Sequence, residues 1–263
     1  MAEPIKPLQE LIARLRGPQG CPWDRRQTAQ SLCAYLVEEA FEAVDAIQSG
    51  DPAAVAEELG DLLFQLVFIV ELFAEQGDFD LDRVVAICRE KMIRRHPHVF
   101  GEAKAETAEQ VKASWQRIKQ AERQPGASRL DGLPRGLPAL MRGHRLSDRA
   151  AQAGLDWPDA GAVLAKVEEE LGELKLDLAR GGQEAAAGEL GDALFAMVNL
   201  GRHLKVRAED ALARANAKFE RRFRRLEEIC LARRLDPALL EPAALDMIWN
   251  EVKSEENKAD NGG

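Results

Sequence analysis

Aromatic residues are scarce in this chain of 263 residues, of which only 5% are Phe, Trp or Tyr. No segment alternates apolar and polar residues with a period of two, as a half-buried β-strand does. Ala, Leu, Glu and Arg dominate instead, and these residue types favour helices. The hydrophobic fraction of 46% supplies a sizeable core. We therefore predict an all-α protein.

Cysteine is equally scarce, with four residues, no CxxC pair and no zinc-ligand spacing. These features speak against a disulfide framework or a zinc site. The N-terminal residues lack the apolar segment of a signal peptide. The most apolar stretch, residues 59–73, is too short and too interrupted by charge to span a bilayer. We therefore expect a cytoplasmic protein without a membrane partner.

The chain has fewer basic than acidic residues, with 36 Lys and Arg against 45 Asp and Glu, so its formal net charge at pH 7 is −9. An acidic balance argues against a broad nucleic-acid footprint and against an anionic membrane surface. A small anionic ligand remains compatible with it, provided that a metal ion and local Lys or Arg residues recruit that ligand.

Helical periodicity and turn residues divide the chain into helices and two domains. We predict an N-terminal helical domain over residues 1–123, a Pro- and Gly-rich linker over 124–138, a C-terminal helical domain over 139–253 and a disordered tail over 254–263. The helices are expected at about 5–16, 28–48, 52–75, up to His96, 107–122, 139–152, 160–179, 184–204, 208–234 and 242–253.

The second half of the chain repeats the first at a constant displacement, which indicates an internal duplication. Eight residues recur 131 positions later: Glu38, Glu39, Glu42, Gly50, Glu58, Gly60, Asp61 and Phe64 reappear as Glu169, Glu170, Glu173, Gly181, Glu189, Gly191, Asp192 and Phe195. A basic pair and a late aromatic also recur: Lys91, Arg95, Trp115 and Lys119 reappear as Lys218, Arg222, Trp249 and Lys253.

Each half therefore carries the pattern E-E-x-x-E on one helix and E-x-x-D on the next. At 3.6 residues per turn these carboxylates share helix faces, so a hairpin of the two helices would bring them together. Carboxylate oxygens suit Mg²⁺, with Mn²⁺ as the alternative, and Mg²⁺ commonly shares its coordination with phosphates. The basic pairs fit such phosphates. The pattern indicates metal-assisted phosphoryl or nucleotidyl hydrolysis.

Residues 57–73 are predicted to form a helix that is apolar on nearly every side, and such a helix is expected to be buried on all sides. We therefore predict a homodimer in which each helical bundle is completed by the second copy. Glu58, Asp61 and Gln65 make a polar stripe on this helix, and buried carboxylates there would require a positive partner.

Other interpretations of these residues stay open. The first-helix carboxylates resemble an ordinary solvated face, the basic pairs resemble dipole partners or surface charges, and Trp115 and Trp249 could be core anchors or base-stacking platforms. A di-iron bundle would need Glu-x-x-His, which is missing here. The remaining rival is a non-catalytic helical interaction or nucleotide-binding regulatory module.

The carboxylate patterns, their tandem repetition and three flanking stretches at residues 20–24, 94–100 and 216–222 resemble the MazG nucleoside triphosphate pyrophosphohydrolases. The resemblance covers about residues 8–253 and extends to the all-α NTP pyrophosphatase superfamily. It implies helical-bundle domains that dimerise. It also implies Mg²⁺-dependent conversion of nucleoside triphosphates to monophosphate and pyrophosphate.

Site residues follow from the shared helix faces and from this resemblance. The expected metal ligands are Glu39, Glu42, Glu58 and Asp61 in the first half, and Glu170, Glu173, Glu189 and Asp192 in the second. The expected catalytic residues are Glu169, Glu170, Glu173, Glu189, Asp192, Lys218 and Arg222. The expected substrate-binding residues are Asn216, Lys218, Arg222 and Trp249, together with Lys91 and Arg95.

Two finer expectations concern the reaction. The chain has no G-x-x-x-x-G-K-[ST] phosphate loop, which favours attack by water on the α-phosphate over attack on the γ-phosphate. The position of Asn216 is taken by Arg89 in the first half. Arg only donates hydrogen bonds, whereas Asn donates and accepts, so we expect the second half to carry most of the hydrolysis.

Overall fold

The computed structural model describes residues 5–122 and 126–260, with the backbone alone for 257–260. Within these ranges the chain forms α-helices and two short 3₁₀ turns, and none of the described residues lies in a strand. The prediction of an all-α fold is therefore confirmed. No helix in the described ranges is both long enough and apolar enough to cross a membrane. The chain separates into two compact units, Met1–Gln124 and Pro125–Gly263.

The first unit is built on a helical hairpin. Its helices are α1 (Lys6–Arg16), α2 (Ala29–Ser49), α3 (Pro52–Glu75), α4 (Leu81–Arg95), α5 (Pro97–Phe100) and α6 (Ala108–Ala121). The α2 helix begins at a capping box between Thr28 and Ser31, and it ends at Gly50 in the left-handed conformation, with φ of 75°. The Asp51 side chain then caps α3, which starts at Pro52. These local signals close the hairpin.

The core of the first unit lies between α1, α2 and α3. Ile12, Leu32, Val67, Phe68 and Leu72 are buried and pack together. These residues cover only one side of α3. Leucines on its other side are exposed, at 47% for Leu59, 41% for Leu63 and 48% for Leu66. Within one chain, α3 is therefore not buried on all sides, contrary to the expectation from its apolar sequence.

The second unit repeats the hairpin. Its helices are α7 (Ala139–Ala151), α8 (Ala160–Arg180), α9 (Gln183–His203), α10 (Ala208–Ala232) and α11 (Pro242–Asp260). Asp159 caps α8, and Gly181 ends it in the left-handed conformation with φ of 73°. Helix α7 packs on α9, where Gly143 lies against the side chains of Phe195 and Val198. A second core joins α10 and α11 through Leu226, Ile229, Cys230, Ile248 and Val252.

The chain end differs from the sequence-based expectation. Helix α11 continues through residues 254–260, which had been expected to be disordered, while residues 1–4 and 261–263 lie outside the described part. Ion pairs to α10 account for the extra turns, because Glu255 binds Arg225 and Glu256 binds Arg222. These partners lie 30 and 34 residues away in sequence, so local patterns could not reveal them.

The linker expected at residues 124–138 lies partly outside the described chain, because residues 123–125 are not described. The part that is described forms turns on α7. There the Arg149 guanidinium donates to the backbone oxygens of Arg129 and Asp131, and Arg142 donates to that of Pro134. The domain limits themselves stay a prediction.

Candidate active site

The hairpin of α2 and α3 gathers carboxylates in the first unit. Oxygen atoms of Glu39, Glu58 and Asp61 all lie within 4.8 Å of one another. Glu39 comes from α2 and the other two come from successive turns of α3, as the pattern predicted. Glu39 and Glu58 are half-buried, whereas Asp61 is exposed. The carboxylates are thus partly accessible to solvent rather than enclosed in the core.

The second unit forms a matching group on α8 and α9. Oxygen atoms of Glu170, Glu173 and Glu189 lie within 4.8 Å of one another. Glu170 is only 6% exposed, Glu189 is half-buried and Glu173 is exposed. The second group occupies an equivalent place in an equivalent hairpin, and its buried Glu170 distinguishes it from an ordinary solvated helix face.

Like charges and partial burial shift the titration of both groups. Desolvation raises the pKa of Glu39, with added repulsion from Asp61. Desolvation likewise raises the pKa of Glu58, and the pKa of Glu189 rises for the same reason and because of the charge of Glu173. Carboxylates that repel one another in this way would be stabilised by a divalent cation. The donor set, oxygen only and anionic, fits Mg²⁺ or Mn²⁺.

Two expected ligands lie outside these close groups. Glu42 is exposed but near enough for its charge to raise the pKa of Glu58. Asp192 is exposed on α9, and among the described residues it is not part of the close set formed by its neighbours. Glu169, expected to be catalytic, is exposed and pairs with Lys166, at 2.9 Å from its Nζ atom.

Lys166 lies beside the second carboxylate group and is not among the residues expected from the sequence. Its Nζ atom lies 2.7 Å from a carboxylate oxygen of Glu170, and the two carboxylates that it binds raise its pKa. The sequence does contain the pattern that predicts this pairing, because Lys166 precedes Glu169 and Glu170 at the i, i+3 and i, i+4 spacings of a helix. At the repeat displacement of 131 the first half has Tyr35, which packs on Trp23. The two carboxylate groups therefore differ in their nearest cation.

The basic residues expected to bind phosphate lie on α4 and α10. Lys218 lines a surface depression together with Arg214 and Arg221, and Asn216 is exposed. Arg222 is held by Glu256. The Trp249 ring lies 5.4 Å from that of Phe219, beside the α10–α11 core. Among the described residues, no hydrogen bond or ion pair joins Lys218 or Arg222 to the close carboxylate group of α8 and α9.

The first unit places its basic residues similarly. Arg95 on α4 is held by Glu122 and lies over the Trp115 ring, 5.4 Å from its centroid. Lys91 is half-buried on the same helix. The Trp115 ring also meets His96 edge-on at 4.9 Å. Both late tryptophans are thus packed against their own basic helix, as core anchors would be.

Comparison with known proteins gives consistent matches. The MazG nucleotide pyrophosphohydrolase domain matches residues 27–100. The Escherichia coli protein named nucleoside triphosphate pyrophosphohydrolase is 44% identical over 96% of this chain and 98% of its own length. A Thermotoga maritima protein, nucleoside triphosphate pyrophosphohydrolase/pyrophosphatase MazG, is 40% identical over 94% of both chains. With these relatives spanning both hairpins, the chain belongs to the MazG family of nucleoside triphosphate pyrophosphohydrolases.

Proposed function

We propose that this enzyme converts nucleoside triphosphates and water to monophosphates and pyrophosphate in a Mg²⁺-dependent reaction. The observation that carries the proposal is the pair of three-carboxylate groups, each within 4.8 Å, at equivalent places in two hairpins. The lack of a Gly-rich phosphate loop favours water attack at the α-phosphate, with pyrophosphate as the leaving group. A cytoplasmic location agrees with this substrate class.

The metal ligands in this proposal are the acidic residues of the two hairpins. Glu170, Glu173, Glu189 and Asp192 would hold Mg²⁺, or Mn²⁺, in the second half. Glu39, Glu42, Glu58 and Asp61 would do so in the first. When bound, the metal neutralises phosphate oxygens and lowers the pKa of a water molecule. Glu169 lies beside these ligands and is proposed as the residue that orients or deprotonates the attacking water.

The phosphate side of the proposed second site is basic. Lys218 and Arg222 would pair with phosphate oxygens, and Asn216 would donate or accept further hydrogen bonds. Trp249 would contact the nucleotide from α11. Lys91 and Arg95 would serve the first half in the same way.

We also propose that the protein is a homodimer and that its tandem units arose by duplication. The exposed leucines of α3 have counterparts in the second hairpin, where Leu190 is 50% exposed and Leu194 is 49% exposed. Exposed apolar faces of this extent need a partner surface. A second copy would complete both bundles around a two-fold axis. A monomeric mass at micromolar concentration, measured by light scattering, would contradict this arrangement.

One substitution tests the metal assignment. Asp192→Asn removes an anionic ligand from an exposed position, so the fold should survive while pyrophosphate release falls by about two orders of magnitude or more. Circular dichroism controls for the fold. Undiminished turnover would exclude Asp192 from the site.

Hydrolysis in ¹⁸O-water tests which phosphorus is attacked. Attack at the α-phosphate should label the monophosphate, and label in orthophosphate would instead show attack at the γ-phosphate.

The two halves are proposed to differ in activity, with the second carrying most of the turnover. Lys166 beside Glu170 and Asn216 on α10 are features of the second half alone, because their counterparts are Tyr35 and Arg89. Removing the two adjacent glutamates of the E-E-x-x-E pattern in each half tests this on a nucleotide panel. We expect turnover to be lost with Glu169→Ala/Glu170→Ala and largely kept with Glu38→Ala/Glu39→Ala. The reverse outcome would assign the activity to the first half.

A further inference from the structure

The basic helix of each unit is joined to the last helix by an arginine–glutamate pair. In the second unit Arg222 Nε donates to Glu256 Oε2 at 2.5 Å, and in the first Arg95 Nη2 donates to Glu122 Oε2 at 2.5 Å. All four side chains are mostly covered, with exposures between 15% and 25%. The pairs therefore hold two basic residues of the proposed phosphate side in defined positions.

These two glutamates also belong to the internal repeat. Glu122 and Glu256 are displaced by 134 positions, as are Trp115 and Trp249, and each glutamate follows its tryptophan by seven residues. Two turns of helix separate seven residues, so both side chains lie on the same face. That face packs on the basic helix, where the tryptophan contacts Phe219 in one unit and Arg95 in the other.

The geometry of the second pair leaves both terminal nitrogens of the guanidinium available. Arg222 is bonded to Glu256 through Nε, and none of the hydrogen bonds in the described part of the chain uses its Nη1 or Nη2 atoms. Those two nitrogens provide the fork that binds phosphate oxygens in a bidentate manner. The other Glu256 oxygen accepts a weaker bond from Arg221 at 3.4 Å. Pairing with Arg222 keeps the pKa of Glu256 below its usual range, so the carboxylate stays ionised at neutral pH.

We propose that Glu256 is a positioning residue for the pyrophosphohydrolase reaction, which orients Arg222 through Nε and presents its Nη groups to the leaving pyrophosphate. This proposal rests on the function proposed above. Because Glu256 lies on α11, the same contact couples the helix that carries Trp249 and Lys253 to the basic residues of α10. The orienting contact limits the rotation of Arg222, so less side-chain freedom is lost when phosphate binds.

The first unit uses the equivalent pair differently. Glu122 accepts from both Nε and Nη2 of Arg95, and its other oxygen accepts from Arg94 at 2.7 Å. These bonds lower the pKa of Glu122 to about 2. Arg95 therefore offers fewer terminal N–H groups than Arg222. The difference agrees with a weaker phosphate site in the first half.

Three substitutions on α11 test the proposal. Glu256→Ala removes the orienting oxygen, and Glu256→Gln keeps an oxygen that can accept from Nε. Glu255→Ala is the matched control, because Glu255 pairs with Arg225 between the same two helices, at 2.9 Å. We expect Glu256→Ala to raise the Kd for Mg²⁺–pyrophosphate and the KM for nucleoside triphosphate about tenfold, with kcat within about twofold of the parent enzyme. The Kd and KM of Glu256→Gln should lie between those of Glu256→Ala and the parent enzyme, and those of Glu255→Ala should equal the parent values.

A double-mutant cycle separates positioning from helix docking. If Glu256 acts through Arg222, then adding Glu256→Ala to Arg222→Ala should weaken pyrophosphate binding no further. A further loss in that background, an equal loss in Glu255→Ala, or unchanged binding in Glu256→Ala would each overturn the proposal. Calorimetry measures pyrophosphate binding without turnover. It therefore tests the role of Glu256 separately from the proposed cleavage at the α-phosphate.

Discussion

Replacing Glu170 by Gln tests whether the second carboxylate group is a metal site. Glu170 is the most buried member of the group, at 6% exposure, and Gln keeps its size and an oxygen that accepts from Lys166. The lost attraction to Lys166 opposes the lost repulsion from Glu189. We therefore expect the stability of the metal-free protein to change little.

The expected magnitude follows from ligand linkage. At a Mg²⁺ concentration of about ten times Kd, binding adds roughly 1.4 kcal/mol to the free energy of unfolding. For a unit of this size that free energy raises the melting temperature by about 3–6 °C. Loss of one anionic ligand should weaken Kd about tenfold or more, which leaves roughly 0.4 kcal/mol and a rise of about 1 °C.

The assay is thermal unfolding with and without Mg²⁺. To isolate the second group, the parent and variant chains also carry Glu58→Gln and Asp61→Asn, which remove two of the three carboxylates of the first group. The control is Glu168→Gln, an exposed glutamate on the same helix outside the close group. An equal Mg²⁺-induced rise in the Glu170→Gln variant and its parent would refute the assignment. So would an equal loss in the Glu168→Gln control.

Three further outcomes are expected for stability. Asp156 is paired with Arg202, which lowers its pKa to about 2, so its stabilising contribution is full above about pH 4 and is lost as the pH falls towards 2. Asp156→Asn should cost about 1 kcal/mol at pH 7 after screening by solvent, and the difference should vanish in acid urea titrations. Phe68→Ala should cost about 3–5 kcal/mol in urea unfolding at neutral pH, because Phe68 is 1% exposed. Thr28→Ala should cost about 1 kcal/mol by removing the cap of α2, as measured by the same titration.

Much of the helix pattern could be predicted because helix boundaries depend on neighbours in sequence. The α2 helix, expected at about 28–48, occupies Ala29–Ser49, and the cap at Thr28 and the glycine at position 50 account for both ends. The approach of Glu39 to Glu58 also followed from local information, since a two-residue turn between the helices brings their faces together.

What the sequence by itself determined was therefore the all-α class, the hairpins and the carboxylates that those hairpins gather, all of which depend on residues within one or two helices. Only the tertiary structure decided which side of α3 is covered and which carboxylates approach most closely. It also decided that Glu256 reaches Arg222 and that Asp156 reaches Arg202, which lies 46 residues away. Such pairs depend on how helices pack after they form, and no spacing rule within a helix specifies that packing.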